Sequence, residues 1–357
     1  MALTEKYPKK IVILKILEIL RRYTDEDHRL SQQEIAAYLR TDYGMEIERK
    51  TIRRHLHDLI DCGFEIEYNE SVRMVKNSKT GMMEESYLMT DFYLVRDFTD
   101  AELRLLIDGL LFSKQIPSGQ CKELVKKLCA LSNRYFRSRV MHIRTMPENA
   151  PQSKQLFYTI EVLDEAIEAG KKVTFHYLTY ATDKKQHLRC EPDGTPREYV
   201  VSPYQMAAAN GRYYLICCTD PHDNDAHYRL DRIADIRLLD EPVRPVRSVK
   251  GLENGIDLPK HMAEHIYMYS GPSEAVTFRM KKYLLNDVFD WFGTDIAFFD
   301  ETEDEVTARV TVNLAAMRRW AIQYAPHVRI LSPDGLVEEV KQDLRTAAAA
   351  YGLTDPV

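Results

Sequence analysis

Arg49, Lys50, Arg53 and Arg54 crowd four cations into one short stretch, and Asp58 is the only acid between Arg49 and Leu59. Thr51, His55 and His57 add hydrogen-bonding side chains to the same run. An arginine can grip guanine with two parallel hydrogen bonds, and a lysine neutralises phosphate. Such chemistry suits the N-terminal half of a helix laid in the major groove of DNA. The whole chain carries a formal charge of -6, so any affinity for DNA must come from a local patch. Lys76 and Lys79, in a polar stretch further on, are further candidates for phosphate contact.

The elements around this run determine what it can reach. A helix is expected from Lys9 to about Arg22, with Ile11, Leu14, Ile16, Leu17 and Leu20 as its apolar stripe. Ser31 and Glu34 have capping-box spacing at the start of a second helix that buries Ile35, Ala36 and Leu39. That helix should end near Tyr43 and Gly44. A third runs from about Arg49 to Asp61, with Ile52, Leu56, Leu59 and Ile60 inward. Phe64, Ile66 and Tyr68 then alternate as a strand, Lys76 to Gly81 reads as a loop tip, and Tyr87-Leu88-Met89 as a returning strand. This order is that of a winged helix-turn-helix.

Thr99 and Glu102 repeat the capping-box spacing, before a helix with Leu103, Leu106, Ile107, Leu110 and Leu111 as its buried face. A further helix carries Leu124, Leu128 and Leu131. Together they read as a connector suited to packing against a second subunit. Pro147 to Ser153 is the clearest linker. A helix over about 155–169, ended by Gly170, leads into a β-rich block that runs to about Leu239. A Pro- and Gly-containing connector spans roughly Glu241 to Gly271. The last block reads strand, helix, strand, strand, helix, strand, helix from Ala275 to Ala350, an order of ferredoxin-like type.

The middle block holds a second chemical group. Arg189, Arg212, Arg229 and Arg232 accompany Tyr177, Tyr204 and Tyr214. Cations beside aromatic rings suit a phosphate with a stacked base. The competing reading is a barrel with tyrosines in its core and surface arginines paired with Asp231 or Glu198. Arg229 and Arg232 are three apart, so an unbroken strand would point them to opposite faces. Either the strand bends near Asp231, or only one of the two meets a ligand. Asn210-Gly211 marks a hairpin turn.

Catalytic constellations are weakly represented. The chain lacks G-x-S-x-G, a P-loop and H-E-x-x-H. His176, His187, His222 and His227 have no obvious carboxylate or cysteine partners in the sequence. The cysteines (Cys62, Cys121, Cys129, Cys190, Cys217 and Cys218) form no C-x-x-C pair and read as small buried apolar residues in a reducing compartment. No metal site or cofactor is expected. No apolar run approaches the roughly 20 residues of a membrane span, and the N-terminus has no signal-peptide core, which makes a cytoplasmic location the expectation.

Val201-Ser202-Pro203-Tyr204-Gln205, Asn210 to Leu215 and Tyr228 to Ile233 together resemble the WYL-domain family. The triplet that names the family is Tyr213-Tyr214-Leu215 here, with an aromatic ring kept at its first position. The resemblance implies a bacterial transcription regulator. It would comprise an N-terminal winged helix-turn-helix, a helical connector, a small Sm/SH3-like β-barrel (the WYL domain) and a C-terminal ferredoxin-like, WCX-type extension. It implies a ligand-sensing barrel, with a nucleotide or single-stranded nucleic acid as effector, and a homodimer on a double-stranded DNA operator.

The expected architecture is therefore multidomain α+β. A DNA-binding domain occupies 1–95, a connector 96–146, a sensing domain 154–242 and the extension 272–357. The DNA-contacting set is Arg49, Lys50, Thr51, Arg53, Arg54, His57, Lys76 and Lys79. The ligand-contacting set is Tyr177, Ser202, Tyr204, Arg212, Tyr214, Arg229 and Arg232. The alternatives are a nucleic-acid-binding or scaffold protein without a ligand switch and, less favoured, a nucleic-acid-processing enzyme.

Overall fold

The structure, a computed structural model, describes residues 8–76, 82–113, 116–136 and 155–353. These fall into two compact units, the first ending with residue 136 and the second made of 113, 116–117 and 155–353. Both mix helices and sheet, as a multidomain α+β chain should.

In the first unit a short 3-10 turn leads into α1 (Val12–Tyr23), followed by α2 (Gln32–Tyr43) and α3 (Arg49–Asp61). Ser31 and Glu34 close the expected capping box on α2, satisfying two backbone donors that the first turn leaves without helical partners. Gly44 ends α2 at φ 63°, a left-handed conformation that costs glycine least. Strands β1 (Ile66–Lys76) and β2 (Met83–Leu94) form one antiparallel hairpin, longer than the sequence pattern implied. Val12, Ile16, Ile19 and Leu20 of α1 meet Ile35, Leu39, Ile52, Leu56 and Phe92 in a single core. Leu14, assigned to that core from its spacing, is instead 60% exposed. The inward stripe is shifted to Val12 and Ile19.

Helices α4 (Asp100–Phe112) and α5 (Ser118–Ala130) follow, and the Thr99–Glu102 box caps α4. Leu103 and Ile107 are buried as expected, but Leu106 and Leu131 are exposed. Residues beyond α5 return to the start of the unit. The Asn133 amide donates to the Asp25 carboxylate at 2.6 Å, and the rings of His28 and Tyr135 stack at 3.6 Å.

The second unit opens with α6 (Leu156–Ala169), ended by Gly170. Its buried side chains cover a six-stranded sheet of β3 (Lys171–Tyr180), β4 (Gln186–Leu188), β5 (Glu198–Ala209), β6 (Arg212–Thr219), β7 (Asp225–Arg229) and β8 (Ile233–Pro242). Strand β3 bonds to β5 and β8 along its first part and to β4 at its end, and β5, β6 and β7 follow in order. Asn210 and Gly211 both have positive φ, 52° and 74°, which matches the twist of a tight two-residue hairpin between β5 and β6. The stretch read as a plain connector, Glu241 to Gly271, contains a further helix, α7 (Leu258–Glu264), capped by Asp257.

The C-terminal block follows its expected order: β9 (Ser273–Lys281), α8 (Leu285–Phe292), β10 (Ala297–Phe299), β11 (Glu305–Asn313), α9 (Leu314–Gln323), β12 (Val328–Ser332) and α10 (Asp334–Ala350). The sheet order is β10-β11-β9-β12, antiparallel throughout. Alternate residues Val276, Phe278 and Met280 of β9 face Trp320 and the helices in one core.

Candidate nucleic-acid interface and barrel site

The core side of α3 is fixed by Ile52, Leu56 and Leu59. At 3.6 residues per turn, Arg49, Lys50, Arg53, Arg54 and His57 then share an arc of roughly 140° that starts beside the core stripe and turns away from it. All five are exposed, and Thr51 is half-buried at the edge of the arc. Glu48 makes no side-chain cap and the first turn holds no acid, so the N-terminus of α3 adds its dipole to these cations. The arrangement presents hydrogen-bond donors and positive charge outward on a rigid support. Arg53 reaches the backbone oxygen of Tyr87 at 3.5 Å, near the limit of a hydrogen bond, and this ties the helix to β2. Lys76 closes β1 opposite Met83, and Lys79 lies outside the described residues.

The barrel candidates separate into two places. At one end of β6, Tyr214 pairs with Arg229 across the sheet. The Arg229 guanidinium donates twice to the Asp231 carboxylate, at 3.0 and 2.6 Å, and Arg212 lies 3.8 Å from the same group. Asp231 itself is buried. The backbone N–H of Arg229 donates to the Tyr177 hydroxyl at 3.1 Å. A 3-10 turn at Leu230–Arg232 separates β7 from β8, so the chain does bend at Asp231. Arg232 turns over the Tyr180 ring, 5.8 Å from its centre, and its Nε is buried without a hydrogen-bond partner among the described residues. Arg189 stands over the Tyr177 ring at 5.3 Å. Two guanidiniums thus share one carboxylate, with Arg189 and Arg232 over the neighbouring tyrosine rings. Burial raises the Tyr177 and Tyr214 hydroxyls, which stay neutral hydrogen-bonding groups.

Ser202 and Tyr204 sit elsewhere. On β5 Ser202 pairs with Cys218, four residues along β6 from Tyr214 and roughly 13 Å away, and Tyr204 follows at a break in the register. The Ser202 hydroxyl accepts from the Arg244 backbone N–H, and the Tyr204 hydroxyl donates to the Arg244 carbonyl, both at 2.9 Å. Burial pushes the Tyr204 hydroxyl up to about 12. This pair clamps the chain leaving β8.

Three histidines do have carboxylate neighbours, contrary to the sequence reading. His187 bonds Asp183 at 2.8 Å, His176 lies 3.5 Å from Asp235, and His227 lies 3.6 Å from Asp225. Two of the three pairs are close in sequence, D-x-H and D-x-x-x-H, and the spacing could have disclosed them. Cys62 and Cys190 are exposed rather than buried. A hollow of about 880 Å³ beside α9 and α10, lined by Arg318, Arg319, Glu339 and Asp343 among others, had no sequence signal. Arg318 is already paired there with Asp343 at 2.6 Å.

The model of the WYL domain matches residues 158–238, which hold the sheet and both groups of candidate residues. The chain thus carries a WYL domain. Behind its WYL domain, the WCX domain model matches residues 273–348, the β10-β11-β9-β12 block. Among solved structures this WYL–WCX chain is similar to proteasome accessory factor B/C (PafBC) of Arthrobacter aurescens, at 15% identity and a TM-score of 0.28. That alignment covers 98% of this chain and 50% of the other, so the WYL–WCX chain spans about half the length of that protein. It is also similar to a CRISPR Cas-related protein, at 12% identity and a TM-score of 0.34, covering 96% of this chain and 84% of that one. No curated protein matches it. No helix among the described residues is long and apolar enough to cross a membrane.

Proposed function

We propose that this WYL–WCX protein is a DNA-binding transcriptional regulator. Its first 95 residues would act as a winged helix-turn-helix, with α3 as the reading helix and the β1–β2 hairpin as the wing. The observation that carries this reading is the cationic face of α3, with Arg49, Lys50, Arg53, Arg54 and His57 exposed outside the buried stripe of Ile52, Leu56 and Leu59. Residues 96–146 connect this head to an Sm/SH3-like sensing barrel at 154–242 and a ferredoxin-like extension at 272–357. The strand order of the extension supports that assignment.

The barrel's effector is a nucleotide or single-stranded nucleic acid. Arg212, Arg229 and Arg232 would meet its phosphate, and Tyr177 and Tyr214 would line the approach. Ser202 and Tyr204 act indirectly by fixing the strand below. The protein works as a homodimer in the cytoplasm and catalyses no reaction. Effector binding shifts the dimer between states that differ in operator affinity, which requires the effector to prefer one of them.

Selection of bound fragments from random double-stranded DNA tests the proposal. A recurring motif, lost in Arg53→Ala/Arg54→Ala protein, is expected. Recovery of fragments without a common motif would leave only a scaffold or a non-specific binder.

A further inference from the structure

Asp225 and His227 alternate on β7, so both side chains point to the same face of the sheet. Helix α7 lies over that face and brings His261 and His265, one turn apart, toward them. The Nε2 atoms of His227 and His261 are 2.9 Å apart, and His227 Nε2 lies 3.6 Å from the Asp225 carboxylate. One donor atom from each of Asp225, His227 and His261 falls within 4.8 Å of the others. Tetrahedral zinc, with bonds of about 2.0–2.1 Å to nitrogen and oxygen, needs ligand separations of roughly 3.3 Å.

The site is buried. The Asp225 side chain is only 4% exposed and that of His227 is 0% exposed. Burial, with His261 and His265 adding to it, pushes the His227 imidazole down to about 3, and burial brings His261 to about 4. Burial pushes the Asp225 carboxyl up, while the Gly271 N–H and the nearby His265 ring act against it. Across the site the Asp225 carboxylate accepts from the Gly271 N–H, at 3.4 Å. The outer contacts also suit a metal. His265 Nδ1 donates to the His261 carbonyl at 2.9 Å, and its Nε2 is buried without a partner among the described residues. The backbone of Met268 and Tyr269 lies beside His227 and favours a proton on that ring, although His227 Nδ1 does not reach full hydrogen-bond geometry. Those contacts would turn the Nε2 lone pair toward Asp225 and His261.

We propose that Asp225, His227 and His261 bind one zinc ion, with His265 as the flanking donor. Imidazole nitrogens with one carboxylate select zinc or a similar transition ion over calcium and magnesium, which take oxygen ligands. The ion would staple α7 to edge strand β7, whose next residue on the same face is Arg229.

The test uses full-length protein stripped of metal, titrated with zinc against a chromophoric chelator, with bound metal counted by mass spectrometry after gel filtration. One zinc per chain is expected. His261→Asn and Asp225→Asn should each weaken binding by more than ~100-fold, while His187→Asn, an exposed pair with Asp183, binds as the parent does. Cobalt titration of the unmutated protein reads the site without a variant and should give the strong visible absorption of tetrahedral coordination. Absence of stoichiometric zinc, a cobalt spectrum like that of the free aqueous ion, or parental affinity in both site variants would overturn the proposal. The three groups would then form only a hydrogen-bonded cluster.

Discussion

At the scale of single residues, Asp231 fixes the geometry of the barrel's positive end. Its buried carboxylate holds Arg229 by two hydrogen bonds, so a guanidinium that could meet a phosphate is preset rather than free. Asp231→Ala removes the partner and leaves a largely buried cation. It should lower stability by about 3 kcal/mol in urea denaturation; an unchanged midpoint would mean that the pair contributes nothing. In the first unit, burial alone would raise the Asp25 carboxyl. Hydrogen bonds from the His28 ring, the Asn133 amide and the His28 backbone outweigh it and hold Asp25 below its usual value. A carboxyl with a lowered folded pKa adds stability that is present above the unfolded value, about 3.9, and is lost as pH falls through the folded one. Asp25→Ala should therefore cost stability at neutral pH, and the gap from the parent should shrink below about pH 4. A melting-temperature series against pH checks this, and a gap independent of pH would contradict it.

At the scale of elements, the clearest sequence signals were the local ones. Ser31–Glu34 and Thr99–Glu102 formed their capping boxes, and Gly44 and Gly170 ended their helices, because these features depend on residues a few positions apart. Ser31→Ala should cost about 1 kcal/mol in thermal unfolding. Alternation also disclosed the C-terminal block, whose core centres on Trp320, fully buried against Phe278 and Phe292. Trp320→Ala should cost about 3–5 kcal/mol; a smaller loss would mean that the block packs around a different centre. Spacing was less reliable for which apolar residues turn inward. Leu14, Leu106 and Leu131 all fitted a helical stripe, yet each is exposed, because neighbouring elements decide which part of a broad apolar face is covered. Helix α7 was missed because it is short and lies in a stretch rich in proline and glycine.

At the scale of the molecule, the order of the elements was readable while the assembly of the second site was not. The α3 candidates lie within one helix, so their shared face followed from periodicity alone. The barrel candidates come from four strands and a turn, and only the sheet register shows that Tyr214 and Arg229 meet while Ser202 and Tyr204 lie at the other end of β6. Asp225 and His227 are two apart on one strand, but His261 comes from a distant helix, and no local spacing could disclose its approach to them.

The central claim is that α3 reads DNA. It is tested most directly by measuring the affinity of the full chain for a selected duplex across a salt series. The account predicts that log affinity falls steeply with log salt, and that Arg53→Ala/Arg54→Ala weakens binding by at least ~10-fold, from about 1–3 kcal/mol for a base-reading arginine, with a shallower slope if either also meets phosphate. Binding by the double variant equal to that of the parent, with the same slope, would contradict it.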